Sequence, residues 1–114
     1  PSARMLREHG ADVHVVTRDQ GSLDDLKTAD IVVAGTGVSG LVKPEMLREG
    51  VALIDAGTSN VPKENGGIIA GDADPACADK CLVFSPVPGG VGPVAVAMIY
   101  RNLLTLIKKN APAA

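Results

Sequence analysis

Aromatic residues are almost absent from this chain of 114 residues, which contains one tyrosine, one phenylalanine and no tryptophan. A surface that stacks the bases of single-stranded nucleic acid needs several aromatic side chains, so the composition argues against that class of protein. Lysine and arginine number 11 against 13 acidic residues, and the net charge of −2 provides no basic patch for DNA or RNA. We therefore expect no nucleic-acid partner.

Cysteine is also scarce, and no apolar run approaches the roughly 20 residues of a membrane span. The two cysteines, Cys77 and Cys81, are too few for a disulfide framework. No histidine lies at a zinc-binding spacing from them, so we predict free thiols and no metal site. No signal-peptide pattern opens the chain. These absences predict a cytoplasmic protein with no membrane partner.

What is present is aliphatic: hydrophobic residues make up 46% of the chain, enough for the core of one domain. Apolar runs predict strands, with two of them (31–34 and 51–56) covered on both faces; the predicted strands are residues 12–17, 31–34, 51–56, 68–70 and 82–84. Helical patterns separate them, at residues 1–9, 22–29, 44–48, 74–80 and 94–107. Strands and helices that alternate in this way predict an α/β fold with a parallel sheet and right-handed crossovers.

The stretch at residues 86–93, Pro-Val-Pro-Gly-Gly-Val-Gly-Pro, connects the last predicted strand to the longest helix. Its prolines block helix formation, and Gly89 and Gly90 leave no side chain between the backbone and a ligand. Pro93 suits the first turn of the following helix. A side-chain-poor loop before a helix N-terminus favours nucleotide phosphates or carboxamides. A buried structural corner is the alternative interpretation.

Three further loops, at residues 17–20, 34–37 and 55–60, follow predicted strands, where ligands bind to parallel sheets. In a dinucleotide-binding fold, one strand ends beside the adenosine ribose of the cofactor. An acid after that strand suits the ribose of NAD, whereas an arginine suits the 2′-phosphate of NADP. Arg18 followed by Asp19 leaves both cofactors open, as well as a solvated surface pair. We interpret Asp72 and Asp74 as turn and cap residues rather than as a metal or acid–base pair.

The run at residues 86–93, followed by Val-Ala-Val-Ala-Met, resembles the C-terminal signature of the bifunctional methylenetetrahydrofolate dehydrogenase/methenyltetrahydrofolate cyclohydrolase family. The resemblance spans this whole chain but only the back part of the family's length. It implies a Rossmann-like parallel sheet with flanking helices over residues 1–110, lacking the first strand and the phosphate loop, and a tail at 111–114. The family's Tyr-x-x-x-Lys helix belongs to an N-terminal folate domain that is absent here, since Leu104 lies four residues after Tyr100. No catalytic residue is therefore assigned.

The resemblance also implies the site residues. The cofactor NADP is expected to contact Thr17, Arg18, Thr36, Gly37, Gly57, Thr58 and Gly92, and the tetrahydrofolate substrate is expected to lie beside Pro88, Gly89 and Gly90. Arg18 carries the 2′-phosphate role, while Asp19 keeps NAD as an alternative. Thr58 stands where the family has isoleucine, so a backbone contact persists without an apolar wall. Ala95 replaces a threonine, which removes a hydroxyl contact.

For the complete enzyme, the resemblance implies oxidation of methylenetetrahydrofolate by NADP and hydrolysis of the methenyl product to formyltetrahydrofolate. It places the protein in one-carbon metabolism and purine biosynthesis, as a homodimer. This segment alone is expected to be inactive. Two alternatives are a noncatalytic nucleotide-binding subunit and another Rossmann dehydrogenase of the shikimate-dehydrogenase or tRNA-glutamate-reductase type, which lacks the loop at 86–93.

A sheet without its first strand has a physical consequence. In a doubly wound order of 3-2-1-4-5-6 strand 1 is central, so we expect strands 12–17 and 31–34 to be separated from the strand at 51–56. Open parallel edges expose unpaired N–H and C=O groups and promote aggregation. We therefore hypothesise that the chain is a piece of a longer protein, or one half of a split protein that a missing N-terminal domain or chain completes.

Overall fold

The structure is a computed structural model that describes residues 1–64 and 66–112; part of the predicted tail, residues 113 and 114, lies outside them. The described residues contain two α-helices: α1, Ser2–Glu8, and α2, Val91–Asn110. The strands are β1 Ile31–Ala34, β2 Val51–Asp55, β3 Ser59–Val61, β4 Ile68–Ala70 and β5 Cys81–Ser85. Short 3-10 helices cover Leu23–Lys27, Pro44–Met46 and Pro75–Lys80.

Strands β1, β2 and β5 form a parallel sheet in the order β1-β2-β5, which confirms the predicted α/β class. Ile31 lies opposite Ala52, and Leu53 lies opposite Phe84. Strands β3 and β4 form a separate antiparallel hairpin, with Asn60 opposite Ile69. The sequence predicted no strand between residues 57 and 67, so β3 is an element that it missed; within that range residue 65 lies outside the described residues. The strand is short and polar, and only pairing with β4 reveals it.

The predicted strand at residues 12–17 is also wrong, because this segment pairs with no strand in the described part of the chain. Its β-branched composition favours an extended backbone, but a strand needs a neighbour to satisfy its N–H and C=O groups. A groove of about 590 Å³ separates residues 11–16 from β1, and Ile31 and Val33 line its far side. The gap in the sheet therefore lies between this segment and β1.

The position of this gap corrects a second expectation, that the strands at 12–17 and 31–34 lie together on one side. Strand β1 pairs along its whole length with β2, from Ile31 opposite Ala52 to Ala34 opposite Asp55. Only residues 12–17 are separated from the sheet. The order 3-2-1-4-5-6 is one of several orders that parallel α/β sheets adopt, and the apolar runs alone do not specify which strands are neighbours.

The core lies on one face of the sheet, against the 3-10 helices. Val51 and Leu53 of β2 are fully buried there, and the other members of the cluster are Leu26, Val32, Ala34, Val42, Leu47, Ala73 and Cys77. On the opposite face Ile31, Val33 and Val83 are exposed. The prediction that the strands are covered on both faces is therefore wrong for β1, because within the described residues no helix covers that second face.

Short-range hydrogen bonds and glycine conformations determine the ends of several helices. Ser22 accepts a hydrogen bond from the Asp24 N–H and caps the 3-10 helix that follows. Gly10, with a φ of 86°, lies in the turn that follows α1. Asp74 accepts a hydrogen bond of 3.0 Å from the Ala76 N–H, as a cap residue should. That bond, assisted by Lys43, lowers the pKa of the Asp74 carboxyl group.

Helix α2 extends the predicted segment at both ends, and it packs against nothing in the described part of the chain. An apolar helix of this length would ordinarily pack one face against a core, yet Met98 and Tyr100 are both exposed, Tyr100 by 65%. The radius of gyration, 16.9 Å, exceeds the roughly 13 Å of a compact domain of this length, which is consistent with a projecting helix. By length and composition alone, α2 could also cross a membrane.

The one-sided core leads to a stability prediction. Leu53→Ala, at a fully buried position of β2, should lower the free energy of unfolding by about 2–5 kcal/mol because it leaves a cavity. Leu82→Ala in β5 removes the same atoms from a side chain that is 82% exposed, and should change stability by less than about 0.5 kcal/mol. Urea denaturation followed by circular dichroism measures both. Equal effects would contradict the assignment of the core to this face.

Candidate functional site

Four loops meet at one end of the structure. Thr36 and Gly37 follow β1, Gly57 and Thr58 follow β2, and residues 71–73 follow β4. The loop at residues 86–90 follows β5 and leads into α2. Because β1, β2 and β5 are parallel, their carboxyl ends lie at the same edge of the sheet, where ligands of such sheets bind.

Asp72, in the loop after β4, connects that loop to the one after β1. Its side chain is fully buried, and Oδ2 accepts hydrogen bonds from the backbone N–H groups of Thr36 and Gly37. The Thr36 hydroxyl donates a third bond to the same oxygen, at 2.8 Å. The other oxygen, Oδ1, has no hydrogen-bond partner in the described part of the chain, and it lies against the Cα of Gly57. The turn after β1 is thus held by a residue 36 positions away.

Asp55, the last residue of β2, accepts hydrogen bonds from the loop after β4. Its Oδ1 accepts from the N–H groups of Gly57 at 2.9 Å and Asp72 at 3.1 Å, and its Oδ2 accepts from Ala73 N–H at 2.8 Å. This carboxylate is 1% exposed. The two aspartates, which we call the Asp55–Asp72 pair, therefore connect the loops after β1, β2 and β4 through hydrogen bonds from backbone N–H groups and one hydroxyl.

The remaining loop is joined to this pair through serine. The backbone N–H of Asp55 donates to Ser85 Oγ at 2.8 Å, and Ser85 immediately precedes the loop at residues 86–90. A second hydroxyl, Ser59 Oγ, donates to the Gly37 carbonyl at 3.0 Å and links the loops after β1 and β2. These contacts fix the relative positions of all four loops.

The loop at residues 86–90 is open to solvent rather than tucked into the core: Pro88 and Gly89 are exposed, and Gly90 is half-buried. Gly89 has a φ of 103°, which side chains rarely tolerate, and a Cβ on it would touch nothing. The Val87–Pro88 peptide bond is cis. Helix α2 begins at Val91, so Gly92 lies in its first turn. The loop presents backbone to solvent beside the Asp55–Asp72 pair.

Thr17 and Arg18 are not brought into this arrangement. Thr17 N–H donates to the Gln20 carbonyl at 2.7 Å, which closes a tight turn. Both residues are exposed, and in the described residues no hydrogen bond or ion pair joins Arg18 to the other loops. Their cofactor role stays a prediction.

Sequence reasoning missed both members of the Asp55–Asp72 pair. Asp72 was interpreted as a turn residue, and the structure corrects this: its carboxylate reaches a turn on another strand instead of its own backbone. The available signal was that Asp55 ends one apolar strand and Asp72 lies two residues after another. Among the described residues no cluster of metal-binding side chains is found. Cys77 and Cys81 are free, as predicted, and burial raises the pKa of both thiols.

Comparison with known proteins now gives the site a context. Residues 1–111 match the family described as tetrahydrofolate dehydrogenase/cyclohydrolase, NAD(P)-binding domain. The bifunctional protein FolD of Sulfurovum sp. (strain NBC37-1) is 41% identical over 115 residues, which include 97% of this chain and 39% of that protein. The FolD protein of Erythrobacter litoralis is 38% identical, again with 39% of its length covered. The chain thus spans about two fifths of these relatives.

Solved structures show the same similarity. A bifunctional FolD methylenetetrahydrofolate dehydrogenase/cyclohydrolase from Campylobacter jejuni superposes with a TM-score of 0.86 at 34% identity, over 94% of this chain and 38% of that one. A Trypanosoma brucei FolD structure in complex with NADP cofactor and an inhibitor gives a TM-score of 0.73 at 40% identity, over 80% of this chain and 32% of that one. Both agree with the parallel α/β architecture.

The contact between Gly57 and Asp72 yields a prediction. A Cβ on Gly57 would overlap the Asp72 carboxylate, whereas one on Gly35 would meet nothing within 4 Å. Gly57→Ala should therefore lower the free energy of unfolding by about 2–3 kcal/mol. Gly35→Ala, the same change one loop away, should shift it by less than about 0.5 kcal/mol. Thermal unfolding measures both variants; an unaffected Gly57→Ala protein contradicts the described packing.

Proposed function

The chain belongs to the tetrahydrofolate dehydrogenase/cyclohydrolase NAD(P)-binding domain family, and from this membership we propose that it forms the cofactor-binding portion of a bifunctional enzyme. The proposed reactions are oxidation of methylenetetrahydrofolate with NADP and hydrolysis of the methenyl product to formyltetrahydrofolate. The observation that carries the proposal is the exposed, side-chain-poor loop at residues 86–90, held beside three other strand-end loops by the Asp55–Asp72 pair.

The residues at this edge suit a dinucleotide. Thr36, Gly37, Gly57 and Thr58 lie in two loops whose relative position is fixed by hydrogen bonds, and the two glycines let a ligand approach the backbone closely. Gly92 lies in the first turn of α2, where free N–H groups favour anions and carboxamides. We propose that these residues bind NADP, which supplies the hydride acceptor when bound.

The substrate is proposed to lie on the other side of the nicotinamide, against Pro88, Gly89 and Gly90. Small, rigid residues let a flat ring approach the backbone closely, and the exposed Pro88 and Gly89 leave this surface accessible. The role of the chain is then to hold two reactants at a fixed distance and orientation. Proton transfer in the hydrolytic step is assigned to residues outside this chain, which makes the 114 residues alone inactive.

Several aspects of the biology are part of the same proposal. Free, partly buried thiols suit a reducing cytoplasm, and formyltetrahydrofolate as product would serve purine biosynthesis. Homodimer formation would cover apolar residues that the chain leaves exposed, such as Ile99 and Leu103 of α2. An N-terminal domain, which the greater length of the relatives leaves room for, is the proposed source of the remaining substrate contacts.

A spectrophotometric assay tests the proposed activity. The complete gene product, incubated with methylenetetrahydrofolate, should reduce NADP, and the methenyl intermediate should then decay by hydrolysis. The matched control is residues 1–114 alone, which should give no turnover. If the complete protein binds NADP without any reduction, the noncatalytic nucleotide-binding alternative is correct instead.

Cofactor preference has its own test. Arg18→Ala should raise the KM for NADP roughly ten- to a hundredfold, because it removes a charged partner of the 2′-phosphate. The KM for NAD, which has no such phosphate, should not change. Arg101→Ala, the same substitution on the exposed α2, should change neither value. Equal effects of Arg18→Ala on NADP and NAD would remove Arg18 from the proposed site.

A further inference from the structure

The Asp55–Asp72 pair places two buried acidic side chains under the loops that we propose to bind the nicotinamide. In the described residues, every group that donates a hydrogen bond to these two side chains is neutral. One donor is the Thr36 hydroxyl, and the other five are the backbone N–H groups of Thr36, Gly37, Gly57, Asp72 and Ala73. No ion pair involves either side chain in that part of the chain. The nearest lysine contact in these loops is Lys43 with Asp74.

In the described residues both side chains act only as hydrogen-bond acceptors. Both oxygens of Asp55 act as acceptors, and Asp72 Oδ2 accepts three hydrogen bonds, whereas no acceptor lies near Asp72 Oδ1 to receive a proton. An ionised carboxylate only accepts, while a protonated one needs a partner for its O–H group. Negative charge is therefore buried at this end of the sheet without a neighbouring cation.

We propose that Asp72, with Asp55 behind it, makes the nicotinamide end of the site favour the oxidised cofactor over the reduced one. This inference rests on the proposed function. The ring of NADP⁺ carries a positive charge and the ring of NADPH is neutral, while the phosphates of the two are identical. A fixed negative charge near the ring stabilises the cation alone.

The position of Asp72 suits this role. Its Oδ1 lies against Gly57, whose loop is one of the proposed cofactor contacts, and no protein group in the described residues neutralises that oxygen. Burial keeps salt from screening the interaction strongly. At an effective dielectric constant of about 20, the attraction between a fixed unit charge and a cationic ring changes relative affinity by on the order of tenfold.

Asp72→Asn separates charge from positioning. Its amide oxygen can take the place of Oδ2 and keep all three donors. Its NH₂ group takes the place of Oδ1, where it loses no hydrogen bond but finds no acceptor, so the variant should be less stable while the ratio of the two affinities still reports the charge. Asp55→Asn is unsuitable, because both oxygens of Asp55 accept and an amide nitrogen would face a donor. Asp72 is thus the member of the pair whose charge can be removed with its contacts kept.

The experiment measures the dissociation constants of NADPH, by its fluorescence, and of NADP⁺, by competition, on the complete gene product at fixed ionic strength. In Asp72→Asn the ratio of the NADP⁺ constant to the NADPH constant should rise roughly tenfold. The control Asp79→Asn removes an exposed charge and should leave the ratio within about twofold. A merely structural role of Asp72 would weaken both ligands equally, and an unchanged ratio overturns the proposal.

Two further outcomes are distinguishable. If Asp72→Asn does not fold, as judged by circular dichroism, Asp72→Ser supplies a smaller neutral side chain with an acceptor hydroxyl, and the same change in ratio is expected. If the wild-type protein binds neither form of the cofactor, the proposed function itself fails. If it binds both and no neutral variant changes the ratio, only the charge-selection proposal fails.

Discussion

The structure depends most on the hydrogen bonds between Asp72 and the turn that follows β1. Loops at the ends of parallel strands have no ladder of their own, so their mutual arrangement must come from other contacts. Here one buried carboxylate accepts from Thr36 and Gly37, and its own backbone N–H donates to Asp55. Hydrogen bonds to a charged group contribute about 1.5–3 kcal/mol each, more than the neutral turns around them. These hydrogen bonds therefore couple the positions of the loops to one another.

This arrangement explains why two glycines follow the strands at these positions. A Cβ on Gly57 would overlap Asp72, and a Cβ on Gly71 would overlap the Asp55 carboxylate and approach Val87 Cγ2 at 2.9 Å. Because glycine has no side chain, Gly57 and Gly71 leave space for the two carboxylates. The packing alone therefore explains why glycine stands at these positions, without reference to a ligand. The same close packing places Val87 of the loop at residues 86–90 next to Gly71, and the site gains its shape from this contact.

The sequence predicted what nearby residues determine. Apolar runs identified β1, β2 and β5, and short-range hydrogen bonding identified the caps at Ser22 and Asp74. It failed where distant residues decide. Residues 12–17 have strand composition but no neighbour to pair with, and Asp72 resembles a turn residue until Thr36 is placed beside it. The family signature at residues 86–93 indicated one loop of the candidate site, yet it gave no indication of the two carboxylates buried near it.

The open face of the sheet has a thermodynamic consequence. Ile31, Val33 and Val83, together with much of α2, expose apolar surface that any covering molecule would remove from water. A partner that binds only the folded form adds its binding free energy to that of folding. The melting temperature of this chain is then not a fixed property of its 114 residues. It rises with the concentration of any partner that covers this surface in the folded form alone.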